Sequence, residues 1–285
     1  MLICPICGEP LTYEAPPHPA SARSVCANRH SFDVARQGYV NLLARPTRLQ
    51  ADTGEMLRAR RAFLARGHYA PLSDAVNELV AAGIASTQGA VPTLPRAALD
   101  VGCGEGYYIG RLAASLAHMG GWRCFGLDLA RDAARMAATA YPQATFVVGN
   151  IRDQLPFAAA SLGALLNVFA PRSPVEFARV VAPGAALVVV IPAAEHLFEA
   201  REALGLLTIE QEKEAHVTEQ FADAFTLAEA RGLAYDLALP QADLRELMTM
   251  TPNARHVERR AIATLPDSMQ VRAAFRLLRF TRHQS

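Results

Sequence analysis

Lysine is almost missing from this chain. Lys213 is the only one among 28 basic residues, so positive charge is carried by arginine. Tryptophan occurs once, and aromatic residues make up only 7 % of the sequence. Long apolar runs are also absent: the longest, such as that from Ala185 to Ala194, are far too short to span a bilayer. No basic start followed by an apolar run marks a leader peptide, and the expectation is a soluble, cytoplasmic protein. A net charge of +1 favours no class of partner, and charged residues make up only 19 % of the chain. Against that, 51 % hydrophobic residues over 285 positions suit a sizeable core and exclude global disorder.

The charge is unevenly spread. Residues 1–70 hold nine arginines against five acids, and residues 251–285 hold seven against Glu258 and Asp267, so the middle is acidic. Basic ends around an acidic body suit a polyanion held from both sides. They equally suit a protein that uses arginine as its ordinary surface cation.

Five cysteines, an odd number, argue against a disulfide framework. Three lie within the first 26 residues, in the pattern Cys4-x2-Cys7 … Cys26-x3-His30. Zinc takes four soft or borderline ligands in a tetrahedron, and two paired spacings supply them. With all four positions filled by protein, the metal is expected to be structural. His18 is the substitute ligand if His30 points away. The stretch from Phe32 to Leu43 reads as an extended or hairpin element completing this knuckle. Residues 1–43 are thus read as a zinc-binding module that recognises RNA, 44–69 as a linker and a helix capped by Thr53, and 70–285 as a catalytic domain.

From residue 70 onward, strands and helices alternate. Buried strands are expected at Ala97–Val101, Cys124–Leu127, Thr145–Val148, Leu162–Val168 and Ala185–Ile191. Helices are expected at 71–85, 107–118, 130–140 and 174–180, and a late antiparallel strand at Met269–Phe280. This is an α/β, Rossmann-like class I methyltransferase pattern, with a parallel sheet whose ligand site lies at the carboxyl ends of its strands. There the loop Leu99-Asp100-Val101-Gly102-Cys103-Gly104-Glu105-Gly106 follows the first strand. Gly102, Gly104 and Gly106 let the backbone turn tightly against a cofactor. Asp100 can pair with a cationic or amine group, and Asp128 is placed to accept ribose hydroxyls. Glu105 would repel a pyrophosphate but suits the sulfonium of S-adenosyl-L-methionine. Asn150 is read as meeting the adenine edge, with Asp153 nearby read as site or surface turn. Asn167 and Phe169 stand where the fourth strand ends, the position that faces the methyl group. Asn167 is read as orienting the target base; Phe169 is read either as stacking on it or as core.

The segments Cys4-Pro-x-Cys7, Gly38-Tyr39-Val40-Asn41-Leu42-Leu43, Arg60-Arg61-Ala62-Phe63-Leu64, Gly67-His68-Tyr69 and Asp100-Val-Gly-Cys-Gly-Glu-Gly-Tyr-Tyr108 together resemble the RlmA family. These are 23S rRNA guanine-N1 methyltransferases acting on the helix 35 hairpin, with a branch that includes macrolide-resistance enzymes. The resemblance implies zinc on Cys4, Cys7, Cys26 and His30, and cofactor contacts from Gly104, Glu105, Tyr69 and His196. It also implies a homodimer whose two zinc modules wall an RNA cleft. From the residues alone, Tyr69 reads as core and His196 as a helix-start histidine. The segment Met250–His256 looks closer to the macrolide-resistance branch. The other readings are a methyltransferase acting on a small molecule such as an antibiotic, one acting on another RNA, and an RNA chaperone without turnover.

Overall fold

The computed structural model describes residues 1–15, 22–45, 47, 49–87, 94–204, 213–251 and 265–284. His18, the basic positions 255, 259 and 260, and most of the segment after Met250 lie outside the described residues.

The amino-terminal module is a small antiparallel sheet of β1 (Leu11–Glu14), β2 (Arg23–Cys26) and β3 (Ser31–Asp33), in the order β1-β2-β3. The next strand, β4 (Tyr39–Asn41), leaves this module and joins the main sheet. The sequence pattern alone assigns this stretch to the knuckle. Its pairing is decided by a distant partner, β7, and no local pattern announces that. Thr53 caps α1 (Gly54–Ala65), its Oγ1 accepting the Met56 N–H at 3.3 Å. α2 (Ala70–Ala85) follows with proline in its first turn.

The catalytic domain continues through β5 (Ala97–Val101), α3 (Tyr107–Leu116), β6 (Arg123–Asp128), α4 (Arg131–Ala140), β7 (Ala144–Val148), β8 (Leu162–Val168), α5 (Pro174–Val180) and β9 (Val181–Pro192). It ends with α6 (Phe198–Leu204), α7 (Lys213–Phe221), β10 (Phe225–Pro240), α8 (Gln241–Thr249) and β11 (Ser268–Arg282). The eight-stranded sheet runs β10-β11-β9-β8-β5-β6-β7-β4. Strands β4 through β9 in that row are parallel; β11 pairs antiparallel with β9 and with β10. The late antiparallel strand is therefore present, two residues longer at its far end than expected.

Strands β5 and β8 are buried along their whole length, as strands covered on both faces must be. One face packs Leu72, Val76, Leu79, Ile109 and Leu112, and the other packs Phe157, Phe177 and Phe221. The strand order reverses at β5, between β6 and β8. That switch point opens a crevice at the carboxyl ends of these strands.

Candidate cofactor and metal sites

In the metal site, Cys4 and Cys7 lie on a tight turn closed by Gly8 at φ 77°, whose N–H donates to the Cys4 carbonyl at 2.9 Å. Cys26 and His30 face each other across a second turn, with Arg29 in the left-handed region at φ 63°. All four ligand atoms lie within 4.8 Å of one another. A tetrahedral zinc with bonds of about 2.3 Å to sulfur and 2.0–2.1 Å to nitrogen implies edges of about 3.8 Å between sulfurs and 3.5 Å from sulfur to nitrogen. Cys7 Sγ to Cys26 Sγ is 3.7 Å, and His30 Nδ1 is 3.5 Å from both Cys4 Sγ and Cys26 Sγ. The site fits zinc, with His30 binding through Nδ1. The backbone N–H of Glu9 pulls the Cys7 thiol down to about 6, toward the thiolate a metal needs.

At the switch point, Gly102, Gly104 and Gly106 all have positive φ, at 78°, 54° and 91°. A Cβ on Gly102 would sit 2.4 Å from that of Ala170. The loop after β5 and the loop after β8 therefore touch, and only glycine fits between them. Under the glycine loop lies a buried acidic cradle. Asp100 is wholly inaccessible, and neither carboxylate oxygen has a hydrogen-bond partner. The Ile109 amide faces it from the first turn of α3 but does not reach hydrogen-bonding geometry. Burial, with Asp128 and Glu105 beside it, pushes the Asp100 carboxyl up to about 8. Burial also pushes Glu105 up to about 7, against the pull of Arg61 and Arg60 on α1. Asp128 is raised for the same reason, although it accepts the Gly104 N–H at 2.9 Å and the Ala130 N–H at 2.8 Å.

An unpaired buried carboxylate asks for a cation or a donor. Three acids at one loop suit a ligand with a sulfonium and an amine, and repel a pyrophosphate. The cradle fits S-adenosyl-L-methionine.

Asn150 closes a turn after β7, its Oδ1 accepting the Arg152 N–H and its Nδ2 donating to Asp153 Oδ2 at 3.2 Å. Asn167 is wholly buried at the end of β8, and Nδ2 donates to the carbonyls of Val101 and Pro171 at 3.4 and 2.9 Å. Its donors thus tie the end of β5 to the loop after β8. That loop holds Phe169 at φ 53° with 44 % of its surface exposed. Phe169 is therefore not core. Its backbone lies in the left-handed region that a bulky side chain seldom adopts.

Tyr69 is buried at the start of α2, and its ring meets Phe275 edge-on at 5.1 Å. His196, after β9, is packed against Phe275 at 4.7 Å. Its Nδ1 accepts the Ala274 N–H at 3.1 Å, so the ring proton sits on Nε2, 3.4 Å from the Tyr69 hydroxyl. Burial and the nearby Arg201 push His196 down to about 3, and the imidazole stays neutral. The ring of Phe169 also lies 5.7 Å from that of Phe275. Phe275 is the common floor beneath Tyr69, His196 and Phe169. The sequence reading passed over it, because on β11 it is one apolar residue among many.

Residues 2–46 match the model of the RlmA amino-terminal zinc ribbon, and residues 98–184 match a general methyltransferase domain model. The chain is 39 % identical to a 23S rRNA (guanine(748)-N(1))-methyltransferase of Streptomyces fradiae over 95 % of its own length and 92 % of the relative's. It is 37 % identical to a putative 23S rRNA (guanine-N(1)-)-methyltransferase of Micromonospora griseorubida, covering 98 % and 96 % of the two chains. A Bacillus subtilis protein of the latter description is 27 % identical over 94 % and 91 %. A ribbon with zinc geometry, an acidic cofactor cradle and near full-length identity meet in one chain, which belongs to the RlmA-type family of 23S rRNA guanine-N1 methyltransferases.

Proposed function

We propose that this enzyme methylates N1 of a guanine in the helix 35 hairpin of 23S rRNA. The observation that carries the reading is the contact between the two loops at the switch point: the acidic glycine loop on one side and exposed Phe169 on the other. S-adenosyl-L-methionine supplies an electrophilic methyl group. The chain's own part is to bind and place. Asp100, Glu105 and Asp128 hold the cationic cofactor, with Gly102, Gly104 and Gly106 allowing close approach. Tyr69 and neutral His196 close the opposite wall, and Asn150 bounds the adenine end. Asn167 fixes the loop on which Phe169 offers a stacking surface. A guanine N1 in a Watson–Crick pair is unreachable, so the base is splayed out before it enters. Asp153 is exposed and hydrogen-bonded to Asn150, and Glu105 is buried under the loop. Neither is aimed as a base, and the N1 proton passes to water. The zinc ribbon grips the hairpin, and two copies pair so that their ribbons wall one cleft. The enzyme works in the cytoplasm, where ribosomes are modified, and its role includes macrolide resistance.

The test is primer extension on rRNA from a strain lacking the gene, since N1-methylguanine stops reverse transcriptase. The stop at helix 35 disappears in the deletion and returns with the gene. A stop that persists in the deletion refutes the assignment. Methyl transfer to a small molecule with no transfer to the hairpin transcript favours the antibiotic-modifying reading.

A further inference from the structure

Arg201 stands out among the buried polar groups that the cofactor site leaves unused. It lies on α6, just beyond β9, on the Phe275 side of the crevice. Its Nη2 donates to the Ala194 carbonyl at 2.8 Å, but buried Nε and Nη1 have no partner among the described residues. No salt bridge to Arg201 occurs among the described residues, although most of the other buried or half-buried arginines are paired. A buried donor left unmade costs about 1–3 kcal/mol, more when charged. The ring of Phe198, itself exposed, lies over the guanidinium at 6.0 Å. The backbone around it is held firmly. Leu197, in the left-handed region at φ 53°, donates its N–H to the Arg272 carbonyl at 2.7 Å. The Arg201 N–H then donates to Leu197. Leu197 after β9 and Phe169 after β8 are thus strained positions on the two loops that flank Phe275.

We propose that Arg201 reads the carbonyl edge of the target guanine, its free guanidinium nitrogens donating to O6 once the entering base displaces Phe198. This rests on the function proposed above. Arginine suits guanine because its fork matches acceptors on that edge, whereas adenine presents an amino group at the same place. The role is also chemical. The N1 proton passes to water as the methyl group is approached, and the negative charge this leaves on the N1–C6–O6 amide is held at O6 by the guanidinium. The N1–CH3 bond then forms as the sulfur–methyl bond breaks to leave a neutral thioether. Neutral His196 beside it offers no competing positive charge.

The experiment compares the wild type with Arg201→Met and Arg201→Lys on hairpin transcripts carrying guanosine or 6-thioguanosine at the target. The thio base keeps N1–H and replaces O6 with a weak acceptor. Arg201→Met is expected to lower kcat/KM on guanosine about 10- to 100-fold and to abolish the preference for oxygen over sulfur. Arg201→Lys retains part of that preference. Affinity for S-adenosylhomocysteine stays within about 2-fold, and the melting temperature of Arg201→Met is unchanged or higher, because an unpaired buried charge has been removed. The proposal is overturned by an undiminished oxygen preference in Arg201→Met, by lost S-adenosylhomocysteine affinity (a cofactor-carboxylate role), or by a lowered melting temperature in both variants. A wild type inactive on the guanosine hairpin instead refutes the function on which the proposal rests.

Discussion

The acidic cradle makes the stability of the cofactor-free enzyme fall as pH rises, opposite to the usual behaviour of paired carboxylates. Asp100 loses its proton near 3.8 when solvated and near 8 when folded. Between those values the folded state binds a proton that the unfolded chain has released, so stability decreases with pH by about 1.4 kcal/mol per unit. Glu105, raised from 4.5 to about 7, acts in the same direction over the lower part of the window. From pH 5 to 7, Asp100 alone contributes a loss of about 3 kcal/mol, or roughly 5–10 °C in melting temperature for a domain of this size. The assay is thermal melting of the cofactor-free protein at half-unit intervals from pH 5 to 8, beside Asp100→Asn. The variant keeps the shape but carries no charge, so its slope is shallower. S-adenosyl-L-methionine, which brings a sulfonium, stabilises the wild type more at pH 8 than at pH 6. S-adenosylhomocysteine, lacking that charge, shows a weaker trend. Buried His196, lowered from 6.5 to about 3, works in the opposite direction below about pH 6.5, so the comparison of slopes decides: an Asp100→Asn slope equal to that of the wild type refutes the cradle as a charge-storing site.

Removing zinc with a chelator, or substituting Cys26→Ser, unfolds the three-stranded ribbon, because so small a sheet has little core of its own. Salt-sensitive binding to a hairpin transcript is lost, while S-adenosylhomocysteine affinity, measured calorimetrically, changes by less than about 3-fold. Equal loss of both would show that the two ends do not divide the work. Gly102→Ala puts a methyl group 2.4 Å from that of Ala170 at φ 78°. Left-handed strain costs about 1–2 kcal/mol and the forced separation of the two loops about 1–3 more. Activity therefore falls at least 10-fold, with a melting temperature several degrees lower. Full activity would mean that the loops need not touch.

The parallel core was legible because its strands are continuous apolar runs bounded by loops, and burial on both faces demands that composition. The glycine loop was legible because its special backbone angles restrict the residue type. β10 escaped notice. Its outward residues are mostly alanine and glycine, and its inward leucines other than Leu239 are only partly buried, so the alternation of apolar and polar that marks a half-buried strand is faint. Phe169 could not be assigned to core or site from sequence, since the deciding fact is its positive φ. Asn167 looked like a residue that faces the base, and only the structure shows both of its donors committed to backbone carbonyls. Arg201 carried no signal at all. Its distinction is that Nε and Nη1 are buried without a partner among the described residues, which is a property of the packed state.

The pairing of β4 with β7 changes how the ribbon relates to catalysis. As a tethered appendage, the ribbon could capture the hairpin but not register it. Tyr39, Val40 and Asn41 instead run in line with Phe146, Val147 and Val148, and the Tyr39 hydroxyl accepts from Arg131 Nε at 3.0 Å. Leu42 donates its N–H to the Val148 carbonyl at 2.9 Å, and the adjacent Gly149 N–H donates to the Asp128 carbonyl at 2.9 Å. At the other end, the Ile3 N–H donates to the Pro156 carbonyl at 3.0 Å. The zinc module is therefore fastened on one side to β7 and on the other to the segment that follows it. Backbone hydrogen bonds in a sheet edge do not slip by fractions of a residue, so a hairpin gripped by the ribbon would meet the crevice in one register. Which base reaches Phe169 is then fixed by the length of RNA between grip and crevice, and the pocket need only tell guanine from its neighbours.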